Sequence, residues 1–580
     1  MSPPPLNVAS HLARLAAAEP GRAAIYFPVR GVKPVGESEH RTVTFAELHA
    51  DTDAVAHGLV AAGVTRGTRA ALMVPPSPDF FALAFALFKV AAVPVFIDPG
   101  MGVKNLGTCL AEAEPGAFIG VPKAHLARRL FGWGKGTVRT TVNAGRRRFF
   151  CDVSLSRLRE AGATRGPFPI PDVAADETAA ILFTSGSTGV AKGAVYTHGI
   201  FAAQVELLKA TYGIEPGEID LCTFPLFALF GPALGMTCVI PDMDPTRPAS
   251  IDPRKAVAQI RQFGVTNLFG SPAVVRRLGE HAPDGCGTLA TLRRVISAGA
   301  PASAPVIERF AKLLPEGVQV YTPYGATEAL PVANIGSREI LAETRHLTDQ
   351  GKGVCVGRPV AGVTVRVIPI NDEPIAEWDE TTCLPPGEIG EFVVRGPVVT
   401  KEYFRRPTAT ALAKIHDPKT GDVLHRMGDV GYFDDRGRVW FCGRKAHRVV
   451  TPRGTLFTDQ VEPVFNTVTD VVRTALVGVT RGGVTYPVVC VECTQYDDDS
   501  MRGDRGGWEV ILDALRGTAP RYDHTRTIDT FLYHPELPMD VRHNSKIFRE
   551  KLAAWADRKL GPRWNPAANN VRPAQTGAAT

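Results

Sequence analysis

The run Thr184-Ser-Gly-Ser-Thr-Gly-Val-Ala-Lys-Gly193 follows Ala179-Ala-Ile-Leu-Phe183, an apolar stretch that reads as a buried strand. Glycines let a backbone fold tightly and aim its N–H groups at phosphate oxygens. The hydroxyls of Thr184, Ser185, Ser187 and Thr188 add donors, Gly186 and Gly189 add freedom, and Lys192 adds charge. The run does not fit G-x-x-x-x-G-K-[ST], so a P-loop NTPase is disfavoured. Read alone, it is a phosphate-holding loop or a plain Ser/Gly turn.

Outward from this loop, helical stretches such as Thr44–Ala62 alternate with short apolar strands such as Ala70–Val74 and Arg294–Ser297, punctuated by Pro and Gly. That rhythm predicts α/β layers with largely parallel sheets. Close-spaced strands at Val363–Pro369 and Glu391–Arg395 predict a small β subdomain. A boundary is expected at Gly443. Beyond it, strands at Arg473–Val479 and Pro487–Thr494 and a helix at Trp508–Leu515 form a smaller α+β unit. The expected fold class is therefore α/β: a large multi-layer N-terminal domain over 1–442, with two α/β subdomains and a small β subdomain, then an α+β domain over 443–564. Residues 565–580 read as a flexible tail.

Composition narrows the classes. With 580 residues the chain exceeds one simple core. Its 65 basic and 59 acidic residues leave a net charge of +6, which gives no support for nucleic-acid binding. The apolar run Phe80–Ile97 is interrupted by Lys89 and Pro94 and reads as a buried helix entering a buried strand, so no transmembrane segment is expected. Cys490 and Cys493 form a lone C-x-x-C inside a strand pattern and read as core thiols of a cytoplasmic protein. The segment from Lys123 to Phe150 gathers Arg128, Arg129, Lys135, Arg139 and Arg146–Arg148 around Trp133, Phe149 and Phe150. A solvated insertion is the favoured reading there, over a partner or membrane-surface contact.

Further motifs follow the loop in order: Ser297-Ala-Gly-Ala-Pro301, Tyr324-Gly-Ala-Thr-Glu328, Pro386-Gly-Glu-Ile-Gly-Glu391, Arg395-Gly-Pro397, Gly428-Asp-Val-Gly-Tyr432, Gly443-Arg444 and Arg542-His-Asn-Ser-Lys546. Together with Thr184–Gly193 this set resembles the adenylate-forming superfamily of acyl-CoA synthetases, peptide-synthetase adenylation domains and luciferase, over nearly the whole chain. The resemblance implies ATP and Mg²⁺ as cofactors. It implies an ATP site built from Thr184, Ser185, Gly186, Ser187, Thr188, Gly189 and Lys192, from Gly299, Ala300 and Pro301, and from Tyr324, Gly325, Asp429 and Arg444. Glu328 is the implied Mg²⁺ ligand, a hard oxygen donor. Thr327 is implied on the α-phosphate, Asp429 on the ribose hydroxyls, and Lys546 as the catalytic lysine, countering charge as pyrophosphate leaves.

The chain departs from the thioester-forming members. Ala446 takes the hinge place, Thr451-Pro-Arg-Gly-Thr455 replaces the usual turn after it, Ala228 stands where histidine is frequent, and Ser545 precedes the lysine. The opening Asn7-Val-Ala-Ser-His-Leu, the continuation Val190–His198 and Phe224-Pro-Leu-Phe-Ala-Leu-Phe-Gly231 look like the olefin β-lactone synthetases. That resemblance implies a long-chain 2-alkyl-3-hydroxy acid as substrate, whose hydroxyl closes on its own acyl-adenylate, and other enzymes of a hydrocarbon-forming assembly as partners. Phe224, Phe227 and Phe230 are candidates for an acyl channel, beside the alternative of ordinary core. His198 is a candidate base, although a structural histidine is the favoured reading. The competing functions are a fatty acyl-CoA or acyl-AMP ligase and, more distantly, a non-catalytic nucleotide-binding scaffold.

Overall fold

The computed structural model describes residues 6–29, 39–145, 150–184, 191–281, 289–494, 505–539 and 547–566. Its chain forms two compact units. The first takes residues up to Glu339 with Val356–Cys383 and Phe392–Met427. The second takes Ile340–Cys355, Leu384–Glu391 and the chain from Gly428 onward.

The first unit holds the expected α/β layers. One seven-stranded sheet runs in the order Val153–Ser154, Thr140–Asn143, Ala117–Gly120, Arg69–Met73, Val93–Ile97, Thr178–Thr184 and Lys192–Thr197. Every pairing is parallel except the last, an antiparallel hairpin that matches Thr184 with Lys192 and Thr178 with Thr197. A second sheet starts at His40–Thr44 and continues through Ala23–Pro28, Thr237–Val239, Ile219–Cys222, Asn267–Gly270, Arg294–Ser297 and Val320–Ala326 to Ala329–Gly336. Its middle is parallel, as buried α/β sheets are. Strands Thr364–Ile368, Gly390–Arg395 and Lys414–His416 make up the smaller β portion.

Local chemistry explains the elements. Helix Phe45–Ala61 opens on a capping box: Thr44 accepts from the Glu47 amide, and Glu47 accepts from the Thr44 amide at 2.8 Å. It lies against helix Leu155–Gly162 so closely that a Cβ on Gly162 would stand 2.1 Å from the Ala54 carbonyl oxygen. Helix Pro78–Lys89 begins with Ser77 as cap and proline in its first turn, and every residue from Phe80 to Lys89 is buried. Lys89, which interrupts the apolar run in sequence, is fully buried, with Asp53 as an ion-pair partner and His49 Nδ1 at 3.0 Å. A buried cation requires such partners. Among the described residues no helix is long and apolar enough to cross a membrane.

The second unit contains the antiparallel pair Val471–Arg481 and Val484–Cys493, with Phe531–Tyr533 added in parallel. One face packs on helices Thr458–Phe465 and Arg505–Thr518, the other on Arg549–Leu560. Cys490 is a buried free thiol and Cys493 a half-buried one. The packing division at Gly428 differs from the boundary read at Gly443. Strands Val423–Phe433 and Val439–Arg444 pair antiparallel, and that ladder carries residues 428–444 into the second unit. A chain pivot and a packing boundary need not coincide.

Candidate active site

The loop expected to hold phosphate is the connection of the Thr178–Thr184/Lys192–Thr197 hairpin. Ser185, Gly186, Ser187, Thr188 and Gly189 lie outside the described residues, as does the side chain of Thr184. The loop's flanks are fixed. The segment Glu402–Phe404 runs beside the returning strand, with the Val195 amide donating to the Glu402 carbonyl at 3.2 Å and the Phe404 amide to the Gly193 carbonyl at 2.7 Å. Position 193 must be small, since a Cβ there would approach Ile181 to 2.8 Å.

This arrangement brings Tyr403 to the site. Lys192 Nζ lies 5.0 Å over the centre of its ring, a cation–π geometry. The Tyr403 hydroxyl donates to Glu328 Oε1 at 2.7 Å. Glu328 sits with Thr327 in the tight turn between strands Val320–Ala326 and Ala329–Gly336, and Tyr324 and Gly325 lie near the end of the first of these strands. Gly325 cannot hold a side chain, because a Cβ would meet the Ala329 carbonyl oxygen at 2.7 Å. The turn is pinned from several sides. The Tyr196 hydroxyl donates to the Thr327 carbonyl at 2.5 Å, Gln204 to the Leu330 carbonyl at 3.0 Å, and the Thr400 amide to the Glu328 carbonyl at 2.9 Å. Behind Thr400, buried Lys414 donates to its hydroxyl at 3.0 Å. Burial pulls the Lys414 amine down to about 7, against the pull of Glu328. Burial and then the Glu328 charge push the Tyr403 phenol far above its ordinary range, so it stays a donor.

The residues fit a magnesium ion. Glu328 supplies one hard carboxylate, and among the described residues no group of three His, Cys, Asp or Glu could cage a metal. Mg²⁺ commonly takes one or two carboxylates and completes its shell from phosphates and water.

The adenine-side loop follows strand Arg294–Ser297, where Gly299 adopts φ +93°. Ala298 and Tyr321 pack against an apolar cluster of Phe227, Phe269, Leu234, Met236 and Ile296, with Phe230 partly buried at its edge. Phe227 stacks on Phe269 at 3.6 Å between centroids. Phe224 is 40% exposed. The aromatic run therefore divides: Leu234 and Met236 are core, whereas Phe224 and Phe230 keep open surface beside that cluster.

His198, the candidate base, is placed by the same hairpin. It begins helix His198–Tyr212, adjoining the Thr178–Thr197 pair, so it stands at the end of the hairpin opposite Thr184. Six strand steps at about 3.3 Å each put roughly 20 Å between the two ends. Its amide donates to the Glu177 carbonyl at 3.1 Å, and burial drives its imidazole down to about 4, partly opposed by Glu177. Sequence favoured a structural histidine over a base at this position, and His198 is buried with its imidazole held neutral at pH 7.

In the second unit, Asp429 and Arg444 are register partners on paired strands, with Arg444 Nη1 2.6 Å from Asp429 Oδ1. Asp429 is 2% exposed. Arg444 thus holds the carboxylate in place and charged. Lys445 pairs with buried Glu391 at 3.0 Å. Lys546 lies outside the described residues. The sequence reading missed Tyr403, Thr400, Lys414 and Tyr196. Their one sequence signal is a lysine within the apolar run Ala411-Leu-Ala-Lys-Ile415.

The first unit's α/β layers, with a glycine-rich hairpin connection and a pinned glutamate turn, and the second unit's buried aspartate–arginine pair accord with an adenylate-forming ligase. The AMP-binding enzyme family model matches residues 12–404, and the chain belongs to that family. It is 49% identical over 563 residues to the olefin beta-lactone synthetase of Stenotrophomonas maltophilia, covering 96% of this chain and 99% of that one. It is 50% identical over 556 residues to the olefin beta-lactone synthetase of Xanthomonas campestris pv. campestris, covering 95% and 97%. Among solved structures, the amide bond synthetase McbA of Marinactinospora thermotolerans superposes with a TM-score of 0.74 at 22% identity, covering 95% of this chain and 100% of that one. At that identity the likeness speaks for the fold.

Proposed function

We propose that this enzyme activates a long-chain 2-alkyl-3-hydroxy acid with ATP and closes it to a β-lactone. The observation that carries the reading is the near-full-length identity to two olefin beta-lactone synthetases. In the first step a carboxylate oxygen attacks the α-phosphorus of ATP and pyrophosphate leaves. In the second, the substrate's own 3-hydroxyl attacks the acyl carbon. The acyl–oxygen bond to AMP breaks, the hydroxyl proton passes to solvent or a base, and a four-membered ring forms. Intramolecular attack of this kind reaches effective molarities of about 10⁵ M or more, so no second large substrate is required.

In this reading Mg²⁺, held by Glu328, supplies charge neutralisation at the phosphates. Lys192 and the 184–189 loop bind phosphate oxygens, and Thr327 meets the α-phosphate. Gly299–Pro301, Tyr324 and Gly325 receive the adenine. Asp429 accepts the ribose hydroxyls, and Lys546 meets the reacting carboxylate. Phe224 and Phe230 offer apolar surface to the alkyl chains, whereas Phe227, expected beside them, is buried in the core against Phe269. Residues 443–564 act as a mobile domain pivoting at Gly443–His447. The protein works in the cytoplasm, alongside other enzymes of hydrocarbon formation.

The test is incubation with ATP and a long-chain 2-alkyl-3-hydroxy acid, without coenzyme A. AMP and a β-lactone are expected. Product that appears only when coenzyme A is added would overturn the proposal in favour of a thioester ligase. Lys546→Ala is expected to abolish pyrophosphate release while leaving ATP binding measurable by calorimetry.

A further inference from the structure

The segment read in sequence as a solvated insertion is built differently from a solvated surface. Helix Pro122–Phe131 turns its polar residue inward: His125 is buried and lies 2.9 Å from the Val142 carbonyl through Nε2, and Arg128 lies over the Phe118 ring. The outward residues mix large apolar side chains with the cations Lys123 and Arg129. Leu126 and Leu130, one helical turn apart, are 48% and 70% exposed; Phe131 and Phe150 are 55% and 67% exposed. Phe131 stacks on Trp133, and the Arg129 guanidinium lies 4.9 Å from the Phe150 ring centre. Ala124 and Ala127 pack on the core, so the large apolar side chains Leu126, Leu130 and Phe131 are left facing water among cations.

The charge around it has one sign. From Gly116 to Gly145 the chain carries Lys123, Arg128, Arg129, Lys135 and Arg139 and no aspartate or glutamate. The nearest acids in sequence are already engaged: Glu112 by Arg406, Glu114 by Arg405, and Asp152 by the Thr141 amide and hydroxyl. Lys123, Lys135 and Arg139 have no ion-pair partner among the described residues.

We propose that the outward face of helix Pro122–Phe131, with Phe150 beside it, docks on an anionic lipid bilayer. Leu126, Leu130 and Phe131 enter the headgroup–acyl boundary while the basic fringe meets lipid phosphates. Exposed Leu and Phe ringed by Lys and Arg is the composition of interfacial helices, which bind through apolar burial plus attraction to anionic lipid. The helix carries no Asn, Gln, Ser or Thr, so it offers little of the neutral hydrogen bonding that a protein interface uses for specificity. The inference does not depend on which acid the enzyme activates.

The experiment is co-sedimentation of the full chain with vesicles of phosphatidylcholine alone and of phosphatidylcholine with phosphatidylglycerol, at low and high salt. Binding to the anionic vesicles is expected, falling with salt. The double variant Leu130→Glu/Phe131→Glu should partition about tenfold or more less strongly, with an unchanged melting temperature and unchanged adenylation of a short water-soluble acid. Equal partition into both vesicle types, or undiminished binding by the double variant, would overturn the proposal. So would vesicle-independent self-association abolished by the same double variant, which would assign the face to contact between copies.

Discussion

Tyr403 and His198 show what a single side chain does here and why sequence position misleads. The Tyr403 hydroxyl is a donor to the carboxylate expected to meet the metal. Tyr403→Phe removes that hydrogen bond and leaves the ring. A hydrogen bond to a charged group contributes about 1.5–3 kcal/mol, so kcat/KM for pyrophosphate release should fall roughly ten- to hundredfold with little change in thermal stability. His198 carries the opposite expectation. Its folded pKa is depressed from 6.5 to about 4 by burial. The unfolded chain therefore takes a proton that the fold refuses, and stability is lost as pH falls from 6.5 to about 4, with no further loss below. The full effect is on the order of 3 kcal/mol. His198→Gln should flatten the pH dependence of the melting temperature between pH 7 and 5 relative to the parent, with activity largely kept at pH 7. His198 follows the Thr184–Gly193 run closely in sequence. An antiparallel return carries each successive residue away from the loop, so sequence proximity became distance. Tyr403 shows the converse, since it reaches the loop only through tertiary pairing and no local motif announces it.

At the level of elements, the helices and strands were largely legible because period and punctuation report directly on backbone and burial. Phe80–Ile97 reads as helix then strand, and the structure has Pro78–Lys89 followed by Val93–Ile97. What the pattern leaves open is how Lys89 survives inside, because its partners come from a different helix. Asp53 and His49 supply the answer. Asp53→Ala should then leave an unpaired buried ammonium and cost about 3–5 kcal/mol, whereas Asp53→Ala with Lys89→Met should regain most of that loss. Denaturant titration of the single and double variants checks this, and equal destabilisation of both would refute it. The basic helix Pro122–Phe131 shows a related limit of sequence reading. Composition gives its charge but not which face the fold turns outward.

For the whole molecule, order of motifs was enough to give the family and fold class, while packing boundaries were not. The apolar clusters of the second unit's sheet draw on residues between Val449 and Trp564. A fragment of residues 443–564 should therefore fold alone, with a cooperative melt by circular dichroism and no ATP binding by calorimetry. A molten fragment would show that the segments at 340–355 and 428–442 are required for its core.

One ring joins two charges that the chemistry needs apart. Lys192 rests on the face of Tyr403 and Glu328 on its hydroxyl, and the two do not form a direct ion pair. A lysine and a carboxylate clasped together would have to be prised open at every turnover before nucleotide could enter. Lys192 faces an aromatic ring, and Glu328 accepts from a phenol with the Lys414 amine also acting on it. With Lys192 proposed for phosphate and Glu328 for the cation, the arrival of ATP would exchange contacts instead of breaking a bridge between them.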